Sequence, residues 1–189
     1  MRDMDVRVAL HNRLASVHGE ELNDTLILDE LGLCGEVRVD VAVVNGALSG
    51  FELKSARDNL RRLHHQVEIY SQVLDYAVLV VADNHLNAAK GIVPRWWGLT
   101  VATSRKGEVE LDEIVEPRMN RGVDPMSLAQ LLWREEALEE LTIRGCDRGV
   151  RSKPRWAVWT RLTEVTDVDE LRAVVRSRLK ARPSWRDDR

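Results

Sequence analysis

The stretch VRVDVAVVNGALSGFELKS, residues 37 to 55, constrains this 189-residue chain more than any other. Alternate residues of a strand point to opposite faces, so Val37, Val39, Val41 and Val43 are expected on one face and Arg38, Asp40 and Ala42 on the other. Asn45-Gly46 tolerates the positive φ angles of a tight turn, and the chain is expected to double back as an antiparallel hairpin. In the returning strand Phe51, Leu53 and Ser55 share one face, Glu52 and Lys54 the other. Two carboxylates and a lysine therefore converge on strands whose remaining residues belong in a core.

The flanking patterns extend this hairpin into an α/β fold. Val6, Leu10, Leu14 and Val17 recur at spacings of three and four, one face of a helix over residues 4–17 that Gly19 ends. TLILDEL, 25–31, reads as a first strand. Ser55 with Asp58 three residues on has the form of a capping box, so a helix is expected from about there, with Leu60, Leu63, Val67, Tyr70 and Leu74 as its stripe. YAVLVVA, 76–82, is apolar on both faces, as in a central strand after a helical crossover. HLNAAKGIVP predicts a short helix stopped by Pro94, and GLTVATS and VELDEI predict strands. The order is helix, strand, strand, strand, helix, strand around a mixed sheet. Residues 116–126, with two prolines and a glycine, predict a linker between a domain over 1–115 and a basic helical subdomain over 127–189 containing three helices.

Composition narrows the function. No apolar run approaches the roughly 18 residues of a membrane span, and the charged, amphipathic start lacks a signal-peptide core, so a cytoplasmic chain with no membrane partner is expected. Cys34 and Cys146 stand alone, with no zinc-like cluster or disulfide framework. The net charge of −3 hides an asymmetry. From Arg144 onward there are about 13 Lys/Arg against about 7 Asp/Glu, which leaves about 15 against about 24 before it. An acidic body with a basic arm is compatible with phosphate-backbone binding.

Like charges on one face repel, and a divalent cation relieves that repulsion. Hard Mg²⁺ prefers carboxylate oxygens and keeps places for water and phosphate. At Asp40 followed by Glu52-Leu53-Lys54 the chain resembles the PD-(D/E)xK, or restriction-endonuclease-like, nuclease superfamily, and from Arg38 to Val81 it resembles in particular small bacterial and phage nuclease-like proteins of that group. The resemblance implies a restriction-endonuclease-like αβββαβ core with a mixed central sheet, and Mg²⁺-dependent hydrolysis of phosphodiesters, with Mn²⁺ as a substitute. It implies DNA before RNA as substrate and endonuclease before exonuclease action, by metal-activated water. Asp40, Glu52 and the Leu53 carbonyl would hold the metal, Lys54 would orient the water, and Gln66, in the following helix, would support Lys54 or the phosphate. Val39 stands where the signature has proline. The acid often supplied by the first helix has no clear counterpart, which leaves Glu21 or Glu30 as candidates for a third carboxylate.

Blander readings stand beside these. Arg38 is a candidate ion-pair partner of Asp40, and His64 and His65 suit a solvated helix face. Arg62 and His65 are nevertheless candidates for nucleic-acid contact. The tail ALEELTIRGCDRGVRSKPRWAVWTRL resembles the SAP helix-loop-helix DNA-binding motif, which implies contacts from Lys153, Arg155, Arg161 and Trp156. Set against that, Trp133, Trp156, Trp159 and Trp185 read as packing anchors of a small helical unit. The competing function is a catalytically inactive nuclease-fold protein that binds nucleic acid or acts as a scaffold, and a homodimer is compatible with either.

Overall fold

The computed structural model describes residues 2–19, 24–105 and 107–182. In chain order the elements are α1 (Asp3–Val17), β1 (Leu26–Leu33), β2 (Val37–Val44), β3 (Leu48–Lys54), α2 (Leu63–Val73), β4 (Tyr76–Ala82), a 3₁₀ turn (Asp83–His85), α3 (Leu86–Lys90), β5 (Gly98–Arg105), β6 (Glu108–Val115), α4 (Pro125–Ala129), α5 (Arg134–Ile143), α6 (Arg155–Val165) and α7 (Val168–Ala181). The strands form one six-stranded mixed sheet in sequential order. β1, β2 and β3 pair antiparallel, β3, β4 and β5 parallel, and β6 returns antiparallel on β5. The parallel steps need crossovers, which α2 and α3 supply. β4 is buried along nearly its whole length, which is why its sequence does not alternate.

Each face of the sheet carries its own core. On one, Val6, Leu10 and Leu14 of α1 pack against Val41, Val43, Leu53, Val78 and Val80. On the other, α2 and the C-terminal helices share a single larger cluster with Leu31, Val39, Leu48, Leu79 and Leu99.

The valines of β2 are divided between these cores, contrary to strict alternation. Val39, Ala42 and Val44 belong to one core, Val41 and Val43 to the other. β1 breaks phase at the same level, since Leu28 shares a core with Leu31 and Leu33. The break falls between the pairs Asp29–Val41 and Leu31–Val39, where Glu30 adopts φ of 59°. A non-glycine residue at positive φ is uncommon and inverts the facing of the residues after it. Asp40 lies opposite this point, so the phase break and the acid coincide.

The β2–β3 ladder also stops early. Its last pair toward that end is Val41–Phe51, whereas β3 continues beside β4 as far as Lys54–Val81. Between the unladdered halves of β2 and β3 a cleft opens. At the closed half, Gly50 is required by close approach: a Cβ there would collide with Leu74 Cδ1 and lie 3.1 Å from Val39 Cγ1.

Several elements differ from the sequence expectation. α2 begins at Leu63, not near Ser55, because the Ser55–Asp58 hydrogen bonds (N–H at 2.8 Å, Oγ at 2.7 Å) close an isolated turn. The helix before Pro94 ends at Lys90. The C-terminal third holds four helices where three were expected, because Gln130–Trp133 interrupts the first and Glu136 caps the restart by accepting from Trp133 N at 2.7 Å.

Residues 116–124 lack helix or strand but are pinned along α2 and β4. Asn120 donates from Nδ2 to the Ser71 and Leu74 carbonyls at 2.8 and 2.9 Å, and its N–H reaches the Asp75 carbonyl at 2.8 Å. Asp75, 1% exposed, gathers three parts of the chain. Its Oδ2 accepts from Leu48 N at 2.8 Å, Arg176 approaches at 3.5 Å, and Arg172 Nε lies 2.9 Å from Oδ1 but out of line, an ion pair without a hydrogen bond. No helix among the described residues is long and apolar enough to cross a membrane.

Candidate active site

The cleft between the splayed ends of β2 and β3 has a volume of about 620 Å³ and is lined by Asp40, Glu52, Leu53, Lys54 and Gln66, all named from the sequence. Glu52 and Lys54 point toward α2 because β3 alternates regularly there, and both are buried, at 1% and 6% exposure. Lys54 Nζ donates to Glu52 Oε1 at 2.6 Å and to Gln66 Oε1 at 3.1 Å, and Gln66 Nε2 donates to Glu52 Oε1 at 2.6 Å. The amide of α2 thus joins the acid and the base of β3 in one closed triangle. A buried pair so satisfied is held in a single geometry.

Asp40 sits one step beyond the last ladder pair. Its Oδ2 accepts from Leu53 N at 2.7 Å, replacing a backbone partner that the splayed strand cannot provide. Burial and then the charge of Glu52 push its carboxyl up to about 7, against the opposing pull of the Leu53 N–H, Arg7 and Lys54. The charge of Glu52 is therefore close enough to disfavour ionisation of Asp40.

Two residues of this centre escaped the sequence reading. Arg7 of α1 donates from Nη1 to the Asp40 carbonyl at 2.6 Å and to Asp29 Oδ1 at 3.1 Å, while Nη2 reaches Glu30 Oε1 at 3.2 Å and Asp40 Oδ1 at 3.4 Å. It is the ion-pair partner of Asp40. Arg38 instead faces Glu30 Oε2 at 3.4 Å and is largely exposed, because the phase break turns it from Asp40. The second is Tyr70, whose hydroxyl lies between Glu52 Oε2, in a short contact, and the Arg38 carbonyl at 2.9 Å. Burial and the neighbouring carboxylate push that phenol up, so it stays a donor. Tyr70 follows Gln66 by four residues and so shares its helix face, a signal available once Gln66 is named. Nothing local in the sequence singles out Arg7.

The remaining candidates divide. Glu30, Arg62 and His65 line the cleft, as does Asp3 at the start of α1. His65 pairs with Glu36 at 3.3 Å, and His64 is exposed. Glu21 lies outside the described residues, as does Trp185. Lys153, Arg155 and Arg161 are on the loop before α6 and on α6 itself, and none lines the cleft. Of the tryptophans, Trp159 is a packing anchor at 8% exposure, whereas Trp156 is 64% exposed and anchors nothing. Among the described residues no three His, Cys, Asp or Glu side chains are grouped to hold a metal ion.

An α/β protein with a mixed six-stranded sheet, whose hairpin opens onto two opposed carboxylates and a buried lysine, is the class that fold and site define. The chain matches the family described as bacteriophage P4 protein cII over residues 1–188, and it belongs to that family. Protein cII of Enterobacteria phage P4 is 32% identical over 120 residues, 63% of this chain, and the match spans 45% of that protein's length, under half of it. A solved protein of unknown function from Silicibacter pomeroyi is similar over 66% of this chain and 82% of its own, at 16% identity and a TM-score of 0.40.

Proposed function

We propose that this chain is a metal-dependent nuclease of the PD-(D/E)xK type, with a restriction-endonuclease-like core formed by α1, the first three strands, α2 and β4. The observation that carries this reading is the Asp40–Glu52–Lys54–Gln66 arrangement, drawn from three elements onto the wall of one cleft.

The donor set fits a hard divalent cation. Mg²⁺ is commonly held by one or two carboxylates with water and substrate phosphate completing the shell, so two acids suffice without a third grouped ligand. The resistance of Asp40 to ionisation beside the charge of Glu52 is what such a cation relieves. Asp40, Glu52 and the Leu53 carbonyl would hold Mg²⁺ or Mn²⁺, which supplies a Lewis acid and lowers the pKa of water at the phosphate. Lys54, fixed by Glu52 and Gln66, orients the attacking water or stabilises charge on the phosphoryl oxygens. Arg62 and His65, which line the cleft, would receive a phosphate backbone, with DNA the favoured substrate.

A second reading, a nuclease fold used only for binding or scaffolding, is favoured by one observation. Each oxygen of Asp40 and Glu52 already faces a donor of the protein: Leu53 N and Arg7 for Asp40, and Lys54, Gln66 and Tyr70 for Glu52. Calorimetric titration with Mn²⁺ separates the two. One site that disappears in Asp40→Asn and Glu52→Gln supports the enzyme, and no heat from the unaltered protein supports the alternative.

A further inference from the structure

From Arg148 to Thr163 the chain carries five arginines and lysines and no Asp or Glu, in a protein whose formal net charge is −3. Most of these cations lie on the loop between α5 and α6, and that loop is built. Gly145 and Gly149 take φ of 67° and 86°, and Val150 N and Lys153 N close consecutive turns at 3.2 and 3.0 Å. Arg134 clamps it from below, donating from Nε to the Lys153 carbonyl at 3.0 Å and from Nη2 to the Arg151 carbonyl at 2.5 Å. Buried Asp147 accepts from Thr142 Oγ1 at 2.8 Å and Arg151 Nε at 2.7 Å.

This scaffold presents charge outward. Arg148, Arg151 and Lys153 are exposed, and Arg148 and Lys153 have no carboxylate partner among the described residues. Arg151 and Arg161, by contrast, are engaged by Asp147 at 2.7 Å and by Glu164 at 3.2 Å. At the end of the loop Trp156 is 64% exposed, while Trp159, three residues on, is buried and donates from Nε1 to the Leu132 carbonyl at 3.1 Å. The fold thus uses one indole for packing and leaves the other exposed, three residues after Lys153 at the end of the cationic loop.

We propose that the Arg148–Trp156 surface binds single-stranded nucleic acid, with phosphates on Arg148 and Lys153 and one base stacked on Trp156. A backbone-tracking cationic surface with a stacking aromatic is the chemistry of single-strand binding. An unstacked base is required, because the indole is a flat platform and every base inside a duplex is already stacked on both sides. A membrane surface fits less well: the apolar side chains Val158, Trp159 and Leu162 of α6 are buried in the core, leaving one aromatic and no apolar face to insert. Because the loop is pre-shaped by Arg134 and Asp147, little ordering is lost on binding. The inference does not depend on the cleft being catalytic.

The test is fluorescence anisotropy in EDTA, so that cleavage plays no part, with a labelled single-stranded DNA of about 20 nucleotides and its duplex. The unaltered protein should prefer the single strand, with affinity that falls steeply with salt. Trp156→Ala should weaken binding by about tenfold, the scale of one lost base stack, and Trp156→Phe should restore most of it. The double variant Arg148→Ala/Lys153→Ala should flatten the log–log salt slope by about 1.4, two single-strand phosphate contacts. All three positions are exposed, so matching thermal melts will show that the variants fold. Unchanged affinity and slope in both variants would overturn the proposal. So would preference for the duplex, or loss of binding to anionic phosphatidylserine vesicles in the same variants with none to the oligonucleotide.

Discussion

Replacing Asp40 by Asn removes a charge from the cleft while keeping an acceptor for the Leu53 N–H. The carboxyl is pushed up to about 7 from an ordinary 3.8, by burial first and the charge of Glu52 second. Between those values the folded chain holds a proton that the unfolded chain has released, so the folded state is favoured more at the acid end. The contribution is fully present below the unfolded value, declines as pH rises, and is lost above the folded one. At about 1.4 kcal/mol per pKa unit the whole range is worth about 4 kcal/mol. About two thirds of the range lies above pH 5, so from about pH 5 to about pH 8 the unaltered protein should lose about 2 to 3 kcal/mol relative to Asp40→Asn. Urea unfolding of both proteins in EDTA at the two pH values reads this directly, and titrations common to both cancel in the difference. Millimolar Mg²⁺ should return stability to the unaltered protein at the higher pH and give none to Asp40→Asn. Parallel behaviour of the two proteins across pH, or a relative gain by the unaltered protein toward alkaline pH, would refute the reasoning.

Three further outcomes rest on particular contacts. Tyr70→Phe deprives buried Glu52 of a donor and should cost about 1 to 3 kcal/mol in EDTA, with the gap narrowing at saturating Mn²⁺; a gap equal under both conditions on thermal unfolding would count against the metal reading. Asp75→Asn removes the buried carboxylate facing Arg172 and Arg176, of which Arg172 keeps Asp169 at 2.6 Å, and should cost about 3 kcal/mol, whereas a neutral result in urea would show that the hub is not an ion-pair latch. Gly50→Ala drives a methyl into Leu74 and should cost about 1 to 3 kcal/mol, part of which a smaller residue at 74 should recover; no recovery in the double variant would mean that the clash lies elsewhere.

What the sequence made legible was local. The regular half of β3 with its Glu52–Lys54 spacing, the Val6, Leu10 and Leu14 stripe of α1 without the exposed Val17, the reversal at Asn45-Gly46, which forms with neither residue at positive φ, and the doubly buried β4 depend on periodicity and turn position within a few residues. The phase break did not show, because Glu30 at positive φ is an ordinary-looking glutamate in a β-rich run, and the inversion it shares with Asp40 is set by cross-strand pairing. Arg7 was hidden for a related reason: it meets Asp29, Glu30 and Asp40 only after α1 has packed on the sheet. Ser55 and Asp58 misled because the same side-chain contacts that cap a helix also close a free-standing turn. Trp156 and Trp159 are alike in composition, and only the orientation of α6 assigns one to the core and the other to the surface.

The central claim is that Asp40, Glu52 and Lys54 perform metal-dependent phosphodiester hydrolysis. The most direct measurement is incubation of the purified chain with supercoiled plasmid in Mg²⁺ or Mn²⁺, beside the same reaction with EDTA and with a Lys54→Ala variant shown by circular dichroism to be folded. The account predicts nicked or linear DNA in the first reaction and intact plasmid in the other two. Cutting that survives both EDTA and the loss of Lys54, or intact plasmid in every reaction, would contradict it.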